Sequence, residues 1–169
     1  MKTAGVVLAT VIALALQTTL ARFLMRGTFA VDLVLVVVIY VALTSGAVTG
    51  LLAGAFAGLV QDALTPGIIG IGGLAKTLVG FLAGVIGTQF IVAQPLPRFV
   101  VFFAATVLHA VVFIGLYVLL GLRNFSTPYA AQAGQALGNA VVGVVAFQLA
   151  EFLPGAVERR RMTKSRSRR

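Results

Sequence analysis

The sequence predicts an all-α fold, a polytopic transmembrane helical bundle of six spans in one compact domain. Three observations carry this expectation. The 169 residues are 60% apolar and only 10% charged, and mean hydropathy is +1.07. One soluble core of this size cannot hide that much apolar surface, so lipid is the natural solvent. Spanning segments must satisfy their own backbone hydrogen bonds, which leaves helices or a closed barrel. Runs such as LVLVVVIYVAL do not alternate as barrel strands do, which leaves helices.

The first span is expected over residues 4–21, read as a retained helix because its apolar run continues past Leu16 to about Leu20 and more spans follow. A turn containing Arg22, Arg26 and Gly27 follows. The second span, 29–43, is short and valine-rich, with Asp32 near its start, where an acid suits the positive end of the helix dipole. The third, 46–64, is closed by Pro66, and a glycine-rich loop occupies 67–73. The fourth covers 74–92, and AQPLPR forms the next turn. The fifth covers 99–120 and the longest internal polar loop 121–129. The sixth, 131–153, is stopped by Pro154. Residues 1–154 thus form one membrane domain and 155–169 a basic, disordered cytoplasmic tail. A five-span arrangement remains open if the second or third segment is re-entrant.

Seven of the 13 basic residues lie between Arg159 and Arg169, and the net charge is +9. After a membrane domain such a tail is first a topology signal. With both termini inside, nine basic residues fall on the cytoplasmic side and Arg22, Arg26, Lys76 and Arg123 outside, as the positive-inside rule requires. The tail also suits anionic lipid headgroups. No aromatic residue interleaves with it, so nucleic acid is not an expected partner. The chain has no cysteine, which removes disulfides and thiolate metal sites.

The third span carries Gly46, Gly50, Gly54 and Gly58 at steps of four, and the next step is Asp62. The fourth carries Lys76, Gly80, Gly84 and Thr88 at the same step. Small residues in this register let a neighbouring backbone approach closely, which in lipid is a direct cause of helix association. The acid ends one glycine face and the base begins the other, each at the unfavourable end of its own helix dipole. A hairpin of the two spans would bring them to a similar depth, where they could pair or face a polar crevice. These faces are candidate surfaces for docking a partner's helix.

His109 stands alone in the fifth span, and Gln135 and Asn139 share a face of the sixth. One histidine, four acids and no cysteine assemble no metal cluster. Ser45 and Ser126 fall in expected turns, which leaves no serine placed for an intramembrane protease. No catalytic residue, metal or cofactor is expected. Gln17, Asp62, Lys76, His109 and Asn139 could instead line a pocket near one membrane surface. The alternative function is therefore a small-molecule-binding or lipid-binding membrane subunit of a transporter.

The stretch from Val31 to Gly84 resembles the family of rod shape-determining protein MreD. The likeness rests on Asp32 and Tyr40 in the second span and on Gly58, Leu59 and Asp62 ending the third. It continues in the glycine-rich loop and LAKTLVGF (residues 74–81), with LQTTL (residues 16–20) in the first span. Val31 stands where the family often has proline. The resemblance implies a non-enzymatic component of the bacterial cell-elongation machinery in the cytoplasmic membrane. It implies binding to MreC, and work beside MreB, RodA and a class B penicillin-binding protein in organising peptidoglycan synthesis. It further implies a helical fold similar to the S-components of energy-coupling-factor transporters.

Overall fold

The computed structural model describes residues 3–24, 31–65, 67–89, 94–122 and 129–166. They form six helices: α1 (Thr3–Leu24), α2 (Leu33–Ser45), α3 (Ala47–Leu64), α4 (Ile71–Gln89), α5 (Pro95–Leu119) and α6 (Tyr129–Arg166). Among the described residues there is no strand. Residues 47–64, 71–89, 95–119 and 130–152 are long and apolar enough to cross a membrane. Residues 4–19 and 33–45 form shorter apolar helices.

Successive helices alternate in direction. Gly50 lies on Gly80, Gly54 on Lys76 and Gly58 on Gly73, so α3 and α4 are antiparallel. Arg98 at the start of α5 meets Glu151 late in α6. The α2 N-terminus meets α1 at Gln17 and α3 at Gln61. One end of the bundle therefore gathers the starts of α2, α4 and α6 with the ends of α1 and α3. α1 begins and α6 ends at the other.

α2 is the centre of the bundle and packs against all five other helices. Its 13 residues span only about 20 Å at 1.5 Å per residue. That is less than the ~30 Å of a hydrocarbon layer. Val34, Leu35, Val38, Ile39, Val41 and Ala42 are all fully buried, covering every side of the helix. This is why the segment is apolar all round rather than amphipathic. A single residue, Gly46, with φ +88°, joins α2 to α3. That left-handed conformation allows the chain to reverse in one step, and side-chain-bearing residues resist it.

The closest contact in the bundle is between α3 and α4. A Cβ added at Gly50 would collide with the Gly80 carbonyl, one at Gly54 with the Lys76 carbonyl, and one at Gly58 with the Gly73 backbone. From the other side, a Cβ at Gly80 would strike Gly50, and one at Gly84 would strike Ala47. The two glycine faces therefore cover each other. The docking role expected of them is taken by the chain's own helix, which leaves neither face open to a partner. The lipid-side faces are instead apolar and exposed, including Val48, Leu52 and Phe56 on α3.

α5 and α6 form the second hairpin. Gly143 makes room for the ring of Phe102, which is fully buried. At the far end Arg98 binds both carboxylate oxygens of Glu151 and lies 4.0 Å over the Phe147 ring. A planar guanidinium suits this double role. Arg98 is therefore more than the topology charge that the sequence suggests.

Several boundaries differ from expectation: α1 runs to Leu24 and so takes in Arg22 of the expected turn, and α2 starts at Leu33 and not at 29. α4 starts at Ile71, within the expected loop, because Asp62 supplies the cap described below. α5 starts at Pro95, within the expected turn, because proline is favoured in a first helical turn, where its missing N–H is not needed. α6 continues past Pro154 to Arg166 instead of ending there, so the backbone of the tail is helical that far. Proline's fixed φ is compatible with a helix, although its missing N–H removes one hydrogen bond and its ring crowds the carbonyl four residues back. The turns expected near residues 25–30 and 123–128, with Ser126, and Pro66 lie outside the described residues. Ser45 closes α2 rather than occupying a turn.

Gly54→Ala should force α3 and α4 apart and destabilise the purified protein by about 1–3 kcal/mol, the usual range for overpacking. A Cβ added at Gly115 would meet only open space, so Gly115→Ala should leave stability unchanged or slightly raised. Thermal unfolding in detergent compares the two.

Candidate functional site

The functional candidates converge at the end where α2, α4 and α6 begin. The N-terminus of α2 is buried there, and its first backbone N–H groups have no partners within the helix. Three side chains supply them. Asp32 caps its own helix, accepting from the Leu35 N–H at 3.0 Å. Gln17 of α1 accepts from the Val34 N–H at 3.3 Å. Asn139 of α6 accepts from the Asp32 N–H at 2.9 Å. Asn139 also donates to Thr106 of α5 at 3.3 Å, and Thr106 donates to the Phe102 carbonyl at 2.8 Å. α1, α5 and α6 are thereby tied to the start of α2.

The charge of Asp32 is met by Lys76, whose ammonium lies 3.0 Å from Oδ2. Both residues are buried, with 5% and 3% of their surface exposed. An isolated charge at such a place would be prohibitive, and pairing makes it tolerable. Lys76 Nζ also lies 3.3 Å from His109 Nε2. An ammonium can only donate, so Nε2 must present a lone pair. His109 is thus neutral, with its proton on Nδ1, and its ring stacks near Phe113 at 5.8 Å. Gln61 of α3 donates to Asp32 Oδ1 at 3.4 Å.

Lys76 therefore pairs with Asp32 and not with Asp62. The Asp62 carboxylate instead accepts from the N–H groups of Gly70 at 2.9 Å and Gly73 at 3.0 Å. It caps α4 from the end of α3. Its dipole environment is the reverse of the expected one. The acid does end its own helix, but its carboxylate faces the positive N-terminus of the next. Gly72 leaves space for the carboxylate, since a Cβ there would strike Oδ1.

A cavity of about 250 Å³ opens beside this cluster. α2 contributes Asp32 to its lining and α3 contributes Gln61, Asp62 and Thr65. Gly72 and Lys76 come from α4, His109, Ala110 and Phe113 from α5, and Gln132 and Gln135 from α6. Of the residues expected to line a pocket, Asp62, Lys76 and His109 do so. Gln17 and Asn139 do not, because both are committed to the α2 N-terminus. Gln135 does line the cavity. Gly50, Gly54, Gly58, Gly80 and Gly84 lie in the α3–α4 contact. Gln61, Thr106 and Gln132 are site residues that the sequence reading does not single out. Each is a polar residue in an apolar helix, and that is the available signal. A second cavity of about 220 Å³ between α4 and α5 is apolar, with Val79, Ala83 and Ala105 among its lining. Among the described residues no group of three or more histidines and acids could hold a metal.

The cap and the ion pair make separable predictions. Asp62→Ala should cost about 0.5–2 kcal/mol, as loss of a cap does. Asp62→Asn should cost much less, because its oxygen can still accept from Gly70 and Gly73. The Asp62→Ala loss should add to that of Lys76→Met without coupling, as measured by thermal unfolding of the singles and the double.

The family model described as rod shape-determining protein MreD matches residues 2–153. No curated protein and no solved structure matches the chain. The match covers all six helices except the far end of α6, and the ion pair, both glycine faces and the polar cavity lie within it. A family match over this much of the chain, with four helices of spanning length, identifies a multi-pass membrane protein that belongs to the MreD family of rod shape-determining proteins.

Proposed function

We propose that this protein is a non-enzymatic scaffold of the bacterial cell-elongation machinery, which binds MreC in the cytoplasmic membrane and helps to organise peptidoglycan synthesis. RodA, a class B penicillin-binding protein and MreB belong to the same assembly in this reading. The observation that carries it is the family match over residues 2–153, which gives a membrane component of the rod-shape machinery. The interior supports a scaffold rather than a catalyst. Asp32, Lys76, Asn139 and Thr106 are all engaged with one another or with helix backbone. Such groups fix a shape, and the exposed apolar faces of α1, α3, α4, α5 and α6 are then the surfaces left for a partner.

In this reading all six helices cross the membrane, with α2 crossing inside a collar of the others, in an arrangement like the S-components of energy-coupling-factor transporters. α1 begins and α6 ends at the same end of the bundle, and the basic residues of 159–169 lie along the last turns of α6 and just after it in the sequence. Both termini then lie in the cytoplasm, where the tail meets anionic lipids with about 1 kcal/mol per basic residue near the surface. The polar cavity favours a second reading, a membrane subunit that binds a small ligand or lipid at the opposite, outer end.

Because the chain has no cysteine, single cysteines can report the partner surface. MreC should co-purify with the protein in mild detergent. Cysteines placed at the exposed positions Ile12, Leu52, Val111 and Val141 should cross-link to it from one face only. Absence of co-purification under conditions where both proteins remain folded would count against the scaffold reading.

A further inference from the structure

We propose that the polar cavity binds a primary ammonium group, carried either by a small amine or by the headgroup of an aminophospholipid. The inference rests on the ligand-binding reading of the cavity and adds its chemistry. Space is the first observation. The cavity of about 250 Å³ far exceeds the ~15 Å³ that one water requires. Its position is the second. Three of the walls are helix ends, with Asp62 and Thr65 closing α3, Gly72 opening α4 and Gln132 in the first turn of α6, while α5 contributes His109, Ala110 and Phe113 from within the helix. Such a place lies where the bundle meets headgroups, not at its middle.

Charge supplies the class of ligand. Two carboxylates, Asp32 and Asp62, face one ammonium, Lys76, while His109 accepts a hydrogen bond and is neutral. Lys76 is spent on Asp32, so the surplus negative charge is that of Asp62. Its Oδ2 takes both backbone N–H groups, and its Oδ1 accepts no hydrogen bond among the described residues. The second acceptor is Gln61. Its amide nitrogen faces the Asp32 carboxylate, so the flipped amide would set oxygen against oxygen. Gln61 Oε1 is therefore the acceptor left over, buried and without a partner. Gln61 Oε1 has almost no accessible surface, so the Asp62 carboxylate oxygen is the acceptor that the cavity presents, and it calls for a cationic ligand with N–H groups. A primary ammonium has three such donors and the matching charge, whereas a quaternary ammonium has the charge and no donor.

The purified full chain in detergent, titrated with lipids of identical acyl chains and read by native mass spectrometry, tests this. Phosphatidylethanolamine should be retained roughly tenfold better than phosphatidylcholine, the ratio expected of one hydrogen bond to a charged group. Asp62→Asn keeps the cap and removes the charge, so it should abolish that preference. In a parallel arm, ethanolamine should raise the thermal midpoint saturably where tetramethylammonium does not, again only with Asp62 present. A response in the soluble arm alone assigns the ammonium to a small amine, and one in the lipid arm alone to a headgroup. Either supports the proposal. Equal retention of the two lipids with no ethanolamine response, or a preference untouched by Asp62→Asn, overturns it. Selective retention of phosphatidylglycerol also overturns it, while the ligand-binding reading survives. No response in either arm overturns both.

Discussion

The backbone-to-backbone contact of α3 with α4 is the constraint on which the remaining structure is built. In lipid no hydrophobic force pushes two apolar helices together, so the contact must come from close packing. Glycines at steps of four provide it. One consequence follows directly from the register. Gly54 lies on the carbonyl of Lys76, which fixes the height and rotation of that residue. The Lys76 side chain then points toward the start of α2 and not toward the end of α3. The same register brings Asp62 over the first turn of α4, where it caps the helix.

A buried ammonium so placed demands a buried acid, and Asp32 meets the demand while capping α2. α2 is too short to carry its own polar end out of the bundle. Its N-terminus therefore has to be satisfied inside, by Gln17, Asn139 and Asp32 itself. Polar groups collect at one end of the bundle for this reason, and Arg98 and Glu151 form a clasp at the opposite end of the α5–α6 hairpin. Hydrogen bonds between membrane helices are individually worth about 0.6–2 kcal/mol. Breaking a buried ion pair costs more, about 3–5 kcal/mol, because the remaining charge has no partner. The Asp32–Lys76 pair is accordingly the strongest single specification of which helices meet at this end.

Much of this is legible in the residues. The glycine steps on α3 and α4 announce a close contact, and composition announces helices in lipid. What the residues do not announce is which acid Lys76 meets. Asp62 and Lys76 flank one bend and look like partners in the chain. The choice is made by the rotation of α4 about its axis, which depends on the glycine register. Asp32 reads as a dipole residue at a helix start, which it is, but its second role needs the third dimension. The occupant of the glycine faces is ambiguous in sequence for a similar reason. Small residues at steps of four say that a backbone comes close and do not say whose. The helix starts at Ile71 and Pro95 are hidden because a cap lent by another helix leaves no local signature, and because proline reads as a breaker unless the first turn is considered.

The measurement that bears most directly on this account is a double-mutant cycle on Asp32 and Lys76, read by thermal or denaturant unfolding in detergent. Asn at 32 retains an acceptor for the Leu35 N–H, and Met at 76 retains the bulk of the lysine stem. The account predicts that Lys76→Met alone is strongly destabilising and that adding Asp32→Asn restores part of the loss. The double variant is then more stable than the Lys76→Met single. If the double variant instead loses the sum of the two singles, the charges do not depend on one another and the ion pair is not what organises this end of the bundle.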